Sequence, residues 1–241
     1  MDQTFDKMFF DSCKNLAGVD EVGVTALAGP IVASCVVLPR LSYQDDLSLY
    51  LIDDSKKIRE KYRTQAYDII RNQAISIGIG VVPPKEVDAL DIFVASNLAM
   101  RRAIRHCISN SEFYNTFQDQ IPDFFIIDGN REINLGDLKY KLIPKGDLKS
   151  LSIAAASIVA KVHRDDIMRG YDKIYPGYSF SSNKGYKCEA HFQGMDEGGI
   201  IPDLHRTSMY PIAKKKNESK EVSIRRRKWI QVSEEKFFKE G

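Results

Sequence analysis

This chain lacks the features from which disulfide frameworks, zinc ribbons and membrane anchors are built. Four cysteines, Cys13, Cys35, Cys107 and Cys188, are spread through 241 residues with no Cys-x-x-Cys pair among them. That spacing argues against a zinc ribbon, a dithiol redox motif or a stapled secreted scaffold, and leaves four free thiols. No apolar run approaches the roughly 20 residues a membrane-crossing helix needs. The first fifteen residues, MDQTFDKMFFDSCKN, carry acids where a signal peptide carries bases ahead of an apolar stretch. A cytoplasmic protein without membrane association is expected. Internal repeats are absent as well. So is an excess of one charge, the net being +2, but the balance is uneven. Residues 214–241 hold ten Lys or Arg and five Asp or Glu, which leaves −3 for everything before them. A mildly acidic body with a basic tail does not bind nucleic acid by bulk charge alone. An anionic substrate would need local phosphate contacts, a metal, or the tail.

What is present is an ordinary globular composition, 43% hydrophobic and 28% charged, in a chain long enough to bury a substantial core. Apolar, β-branched runs bounded by Gly and Pro predict strands near 16–24, 29–38, 74–82, 123–129 and 140–144. Helical spacing predicts helices over 59–73, 85–107 and the alanine-rich 150–174. Early strands followed by alternating helices and strands imply an α/β fold with a mixed five-stranded sheet flanked by helices. From Tyr175 the texture turns to Gly, Pro and aromatics, which predicts loops and short helices forming a cap. Three segments are expected: 1–174 as the α/β domain, 175–213 as a small helical cap, and 214–241 as a basic tail.

One stretch conflicts with burial. In LAGVDEVGVTALAGPIVASCVVLP, residues 16–39, Asp20 and Glu21 stand side by side within an otherwise apolar strand. Asp128 ends the apolar run FFIIDG, and Asp147 lies in KGDLKS just before the alanine-rich helix. Acids at strand ends are where α/β folds build sites. Several converging carboxylates repel one another unless a hard divalent cation with oxygen ligands compensates them. Two such ions can support phosphodiester hydrolysis. Each acid alone has a plainer reading as turn former or cap, and Asp147 could cap the helix that starts near Ser150. Neighbours in a strand also face opposite ways, so Asp20 and Glu21 cannot both act in the same manner from regular geometry.

The combination and order of GVDEVGVTALAGPIVASCVVLP, DDSKK, IIDGN, KGDLKSLSIAAASIVAKVHRD, YPGYSFSSNKGY and LHRTSMYP resemble the ribonuclease HII family over roughly residues 16–211. The resemblance implies a ribonuclease-H-like fold. It also implies an endonuclease that cuts RNA in RNA–DNA hybrids, or ribonucleotides embedded in DNA, leaving a 3′-hydroxyl and a 5′-phosphate. Asp20, Glu21, Asp128 and Asp147 take the places of its metal-binding carboxylates, for Mg²⁺ or Mn²⁺. Ser55, Lys56 and Lys57 in DDSKK, and Lys149 and Ser150 in DLKSLS, take the places of residues that touch backbone phosphates. Without that context, Ser55 reads as an ordinary cap on a solvated helix start. Tyr186 matches the tyrosine stacked beside a deoxyribose; taken alone, Lys-Gly-Tyr is a turn. The histidines His163, His191 and His205 suggest no zinc site and receive no chemical role. The tail, with Lys214–Lys216, Arg225–Lys228 and Trp229, could add salt-dependent phosphate contacts or meet a replication protein; a solvated end is its plain reading. Family precedent implies a monomer.

Three departures fall on substrate recognition. The family pattern Asp-Glu-x-Gly-Arg-Gly reads here Asp20-Glu21-Val22-Gly23-Val24-Thr25, Lys-Gly-Tyr-Gly-Thr reads Lys184-Gly185-Tyr186-Lys187-Cys188, and His-Arg-Arg-Ser-Phe reads His205-Arg206-Thr207-Ser208-Met209. Gly23, Val24 and Thr25 thus occupy the turn whose backbone reads the ribonucleotide 2′-hydroxyl in the family. A β-branched Thr25 is expected to crowd the approach and the dihedrals that glycine permits. Metal chemistry is expected to survive, with junction specificity altered, towards continuous hybrids as in the related ribonuclease HIII class. The competing expectation from another class is a hybrid-binding protein of the same fold with weak or no catalysis.

Overall fold

The computed structural model describes residues 4–43, 60–114, 121–210 and 212. Five strands form one sheet: β1 (Leu16–Val22), β2 (Ile31–Val37), β3 (Ser76–Val82), β4 (Phe124–Asp128) and β5 (Tyr140–Ile143), in the order β3-β2-β1-β4-β5. β1 is antiparallel to β2, with Val19 opposite Cys35, and parallel to β4, with Val19 beside Ile127. β4 and β5 are parallel, with Asp128 beside Ile143. This is the mixed sheet expected from the sequence. All seven residues of β2 are buried, as a near-continuous apolar run, IVASCVV, requires of a strand covered on both faces.

The helices are α1 (Thr4–Lys7), α2 (Glu60–Gln73), α3 (Pro84–Ala89), α4 (Ile92–Tyr114), α5 (Leu151–Ile174), α6 (Phe180–Asn183) and α7 (Glu189–Gly198). The helix expected over 85–107 is two helices. Leu90 takes an extended conformation after α3, and Asp91 restarts the chain by accepting the Phe93 N–H on Oδ1 at 2.9 Å. The strand expected over 16–24 stops at Val22 because Gly23 follows with φ +89°, outside β space.

Contacts divide the chain into two compact units that do not follow chain order. Of the described residues, the first comprises 4–22, 32–43, 60–81, 99–114 and 121–163. Its core packs Ala154, Ala155, Ile158 and Val159 of α5 with Val36 of β2 and Ala66 and Ile70 of α2. The small alanines matter because α5 lies very close to the sheet: a Cβ at Gly18 would sit 2.1 Å from the Ser152 carbonyl carbon. Ser150 caps α5, its Oγ accepting the Ile153 N–H at 3.1 Å, while Asp6 Oδ2 accepts the N–H and hydroxyl of Ser152 at 2.9 and 3.0 Å.

Of the described residues, the second unit comprises 23–31, 82–98, 164–210 and 212. Leu27, Ala28, Met168, Tyr178, Phe180, Met195, Ile201 and Leu204 form its core. The short helices and loops expected after Tyr175 are seen there as α6, α7 and the 3₁₀ turn Pro176–Tyr178. Among the described residues no helix is long and apolar enough to cross a membrane, and all four cysteines are free thiols.

Candidate active site

In the first unit the sheet register brings acids together. β1 and β4 run parallel with Val19 beside Ile127, so Asp20 and Asp128 follow as the next residues of adjacent strands. Asp20 is buried; its Oδ1 accepts the Glu21 N–H at 2.7 Å, and Ser157 of α5 adds a hydrogen bond. Burial first, then the charges of Glu21 and Asp128, hold the Asp20 carboxyl well above the usual carboxylate range. Strand alternation turns Glu21 to the other face and leaves it half-buried, yet its charge still reaches Asp20. Asp128 Oδ1 accepts the Gly146 N–H at 2.6 Å, which ties the end of β4 to the 3₁₀ turn Gly146–Leu148. Asp147, the next residue, is buried in that turn. It does not cap α5, since Ser150 does.

These acids offer oxygen donors only, and the repulsion that Glu21 and Asp128 exert on Asp20 is what a hard divalent cation relieves. Among the described residues no three His, Cys, Asp or Glu side chains are already closed around one point. The donor chemistry fits such an ion, and Asp20, Glu21, Asp128 and Asp147 are the residues that could hold it.

In the second unit two buried arginines organise the segment that follows β1. Arg206 donates from Nε to the Gly29 carbonyl at 2.8 Å, and from Nη1 to the Gly23 and Val24 carbonyls at 2.7 and 3.0 Å. Arg164 donates from Nε to Pro30, from Nη1 to Lys184 and from Nη2 to Ala28, at 2.9, 2.9 and 3.1 Å. Its guanidinium also lies over the Tyr186 ring, 5.1 Å from the centroid. Gly185, at φ +78°, accepts the Leu27 and Ala28 N–H groups at 2.8 and 3.2 Å; a Cβ there would meet the Ala28 oxygen at 2.4 Å. The segments 23–30 and 184–186 are thereby joined through backbone. Val24 is half-buried and Thr25 exposed. Thr25 does not adopt positive φ, so the expected crowding of its dihedrals does not occur; Gly23 carries the left-handed step alone within 23–25.

A model of the ribonuclease HII family matches residues 17–210 of this chain. The ribonuclease HII of Listeria innocua serovar 6a is 42% identical over 209 residues, covering 87% of this chain and 73% of the relative. The chain belongs to the ribonuclease HII family. It is an enzyme, a ribonuclease H. Among solved structures, the ribonuclease HII of a PCNA complex from Archaeoglobus fulgidus aligns with a TM-score of 0.64 at 21% identity, over 79% of this chain and 93% of that one. The ribonuclease HIII designated Bst, solved in complex with Mn²⁺, aligns with a TM-score of 0.62 at 14% identity, over 84% and 69%. At these identities the likeness is one of fold, the α/β fold already read from the sheet.

In the second unit, two histidines left without a role in the sequence form a directed chain. The Ile201 N–H donates to His205 Nδ1 at 2.9 Å, which forces the His205 proton onto Nε2. That Nε2–H donates to His191 Nε2 at 3.1 Å, and His191 Nδ1–H donates to the Tyr186 carbonyl at 2.9 Å. Burial, and for His205 the neighbouring imidazole as well, lower both pKa values, that of His205 to about 4. Both rings are therefore neutral at pH 7, as the chain of donors demands.

The remaining candidates are placed differently. Ser150 is fully buried and engaged as a cap, and Lys149 is exposed with Nζ donating to the Pro144 carbonyl at 2.7 Å. Ser55, Lys56 and Lys57, and the tail from Lys214 with Trp229, lie outside the described residues. Sequence reasoning missed Arg164, Arg206 and Asp88. Asp88 accepts the N–H and hydroxyl of both Thr207 and Ser208 at 2.7–3.0 Å, so the Thr207 departure is built into the fold. The signal was present: both arginines sit inside motif blocks, KVHRD and LHRTS, where the adjacent histidines drew attention.

Proposed function

We propose that this enzyme hydrolyses the RNA strand of RNA–DNA hybrids, and ribonucleotides embedded in duplex DNA, with Mg²⁺ or Mn²⁺, leaving a 3′-hydroxyl and a 5′-phosphate. The observation that carries this reading is Asp20: a buried carboxylate with two further acids against it and its hydrogen bonds spent on Glu21 and Ser157. A fold that stores such repulsion gains from it only when a cation is bound there. Asp20, Glu21, Asp128 and Asp147 would hold divalent ions, which would supply charge neutralisation at the phosphodiester and a more acidic water. The protein's part is to hold the ligands still. Glu21 N–H and Ser157 orient Asp20, and Gly146 N–H orients Asp128.

In the same reading, the backbone of Gly23-Val24-Thr25 faces the ribonucleotide and the Tyr186 ring faces the sugar beside it. Residues 1–174 act as the catalytic domain, 175–213 as a substrate cap, and the basic tail adds phosphate contacts or a replication-protein contact. The PCNA complex of the Archaeoglobus relative supports that last assignment. The enzyme works as a cytoplasmic monomer.

The test is cleavage of two labelled duplexes, a continuous hybrid and a DNA carrying one ribonucleotide, with each metal and with chelator. Metal-dependent cuts 5′ to the ribonucleotide, lost in Asp128→Ala while hybrid binding persists, are expected. Binding without cleavage of either duplex would instead make the chain a hybrid-binding protein.

A further inference from the structure

The segment 23–30 departs from the family pattern in two side chains, yet its backbone is held by groups outside it. Gly23, Val24, Ala28, Gly29 and Pro30 all give their carbonyls to Arg206 or Arg164. Both arginines are fully buried. Burial of a guanidinium costs free energy that is recovered only as its donors find acceptors. Here Nε, Nη1 and Nη2 of Arg164 and Nε and Nη1 of Arg206 find backbone oxygens, while Arg206 Nη2 is buried without a partner. Five N–H donors in a rigid planar fork fix the mutual distances of the oxygens they hold.

The consequence at the turn is specific. Because the Gly23 and Val24 carbonyls share Arg206 Nη1, their peptide planes are set by Arg206, whichever side chains residues 24 and 25 carry. A Cβ at Gly23 would lie 2.2 Å from Arg164 Nε, so Arg164 also closes the space that any other residue at 23 would need. Arg164 then reaches the 184–186 segment twice, at the Lys184 carbonyl and across the Tyr186 ring face. Arg206 enters from the opposite side of the sequence motif, anchored by its own N–H on the Leu27 carbonyl at 2.7 Å, and by Thr207 and Ser208 on Asp88.

We propose that Arg206 and Arg164 are the positioning residues of the recognition turn, and that they, not the side chains at 24 and 25, decide whether this enzyme reads a single ribonucleotide in DNA. This rests on the reading that the 23–25 backbone faces the ribonucleotide. It reverses the expectation drawn from the substitutions alone: Val24 and Thr25 leave junction reading intact because neither supplies the geometry.

The experiment measures, for each variant, the ratio of cleavage rates on single-ribonucleotide DNA and on continuous hybrid. Arg206→Lys keeps the charge but replaces the fork by a point donor, and is expected to lower the ratio about tenfold. The double change Val24→Arg with Thr25→Gly is expected to move it less than about threefold. A merely structural defect lowers both rates together and leaves the ratio where it was. Wild-type cleavage of both duplexes with an unchanged ratio in Arg206→Lys overturns the proposal alone. A large rise of the ratio in the double variant also overturns it, and that arm stands even if Arg206→Lys does not fold. Wild-type cleavage of hybrid only overturns the proposal while leaving the ribonuclease assignment; cleavage of neither overturns the reading beneath it.

Discussion

Asp20 in the first unit and Arg164 and Arg206 in the second are buried groups of opposite charge, and they are treated differently. In the first, the like charges of Glu21 and Asp128 both act on the buried Asp20. In the second, Arg164 and Arg206 are fully enclosed, but each donates three hydrogen bonds to carbonyl oxygens. The arginines are part of the scaffold; the Asp20 carboxylate is held against its own preference. A buried carboxyl pressed by neighbouring carboxylates marks where a cation acts, and a guanidinium bonded to carbonyls marks what shapes the backbone around it.

The sharpest way to break this contrast is a pair of neutralising substitutions. Asp20→Asn should lower turnover at least about 10³-fold and, in chelator, raise unfolding stability by about 1–3 kcal/mol, because a strained buried charge is removed. Arg206→Met should do the reverse for stability, costing about 3 kcal/mol by stranding the Gly23, Val24 and Gly29 carbonyls. Urea midpoints of both variants check this; destabilisation by Asp20→Asn would mean that its charge is already satisfied.

A smaller effect separates the units by pH. His205 titrates near 6.5 when unfolded and at about 4 when folded, so between those values the unfolded chain binds the extra proton. Stability is therefore full above pH 6.5 and lost as pH falls through about 4, with His191 shifted in the same direction. From pH 7 to 5 the loss from His205 is about 2 kcal/mol, read as a falling urea midpoint that His205→Gln should flatten. If the midpoint is as steep in the variant, the histidine chain does not carry the dependence. The smallest effect is that of Thr207→Val, which removes one hydroxyl from Asp88 and keeps the N–H. About 1 kcal/mol is expected, with no change in the ratio of the two cleavage rates.

Much of the fold was legible because it is written in period and punctuation. The five strands, α2 and α5 follow apolar runs whose ends are set by Gly, Pro and Ser. The break between α3 and α4 was not visible, since apolar spacing runs on through Leu90 and Asp91 and only the Asp91 cap interrupts it. The acids were legible as anomalies, polar residues at apolar strand ends. The arginines were not, because a buried Arg and a solvated Arg look the same in a sequence until something closes over it.

By itself, then, the sequence determined which segments become strands and helices, which acids stand at strand ends, and which family the chain belongs to. Each of these depends on neighbours in the chain or on motif order. Only the tertiary structure decided that Ser150 and not Asp147 caps α5, that Thr25 sits without backbone strain, and that residues 23–30 take their shape from Arg164 and Arg206. Those outcomes depend on groups as much as 183 residues apart in sequence meeting at hydrogen-bond distance. Directional bonds of that kind leave no periodicity behind.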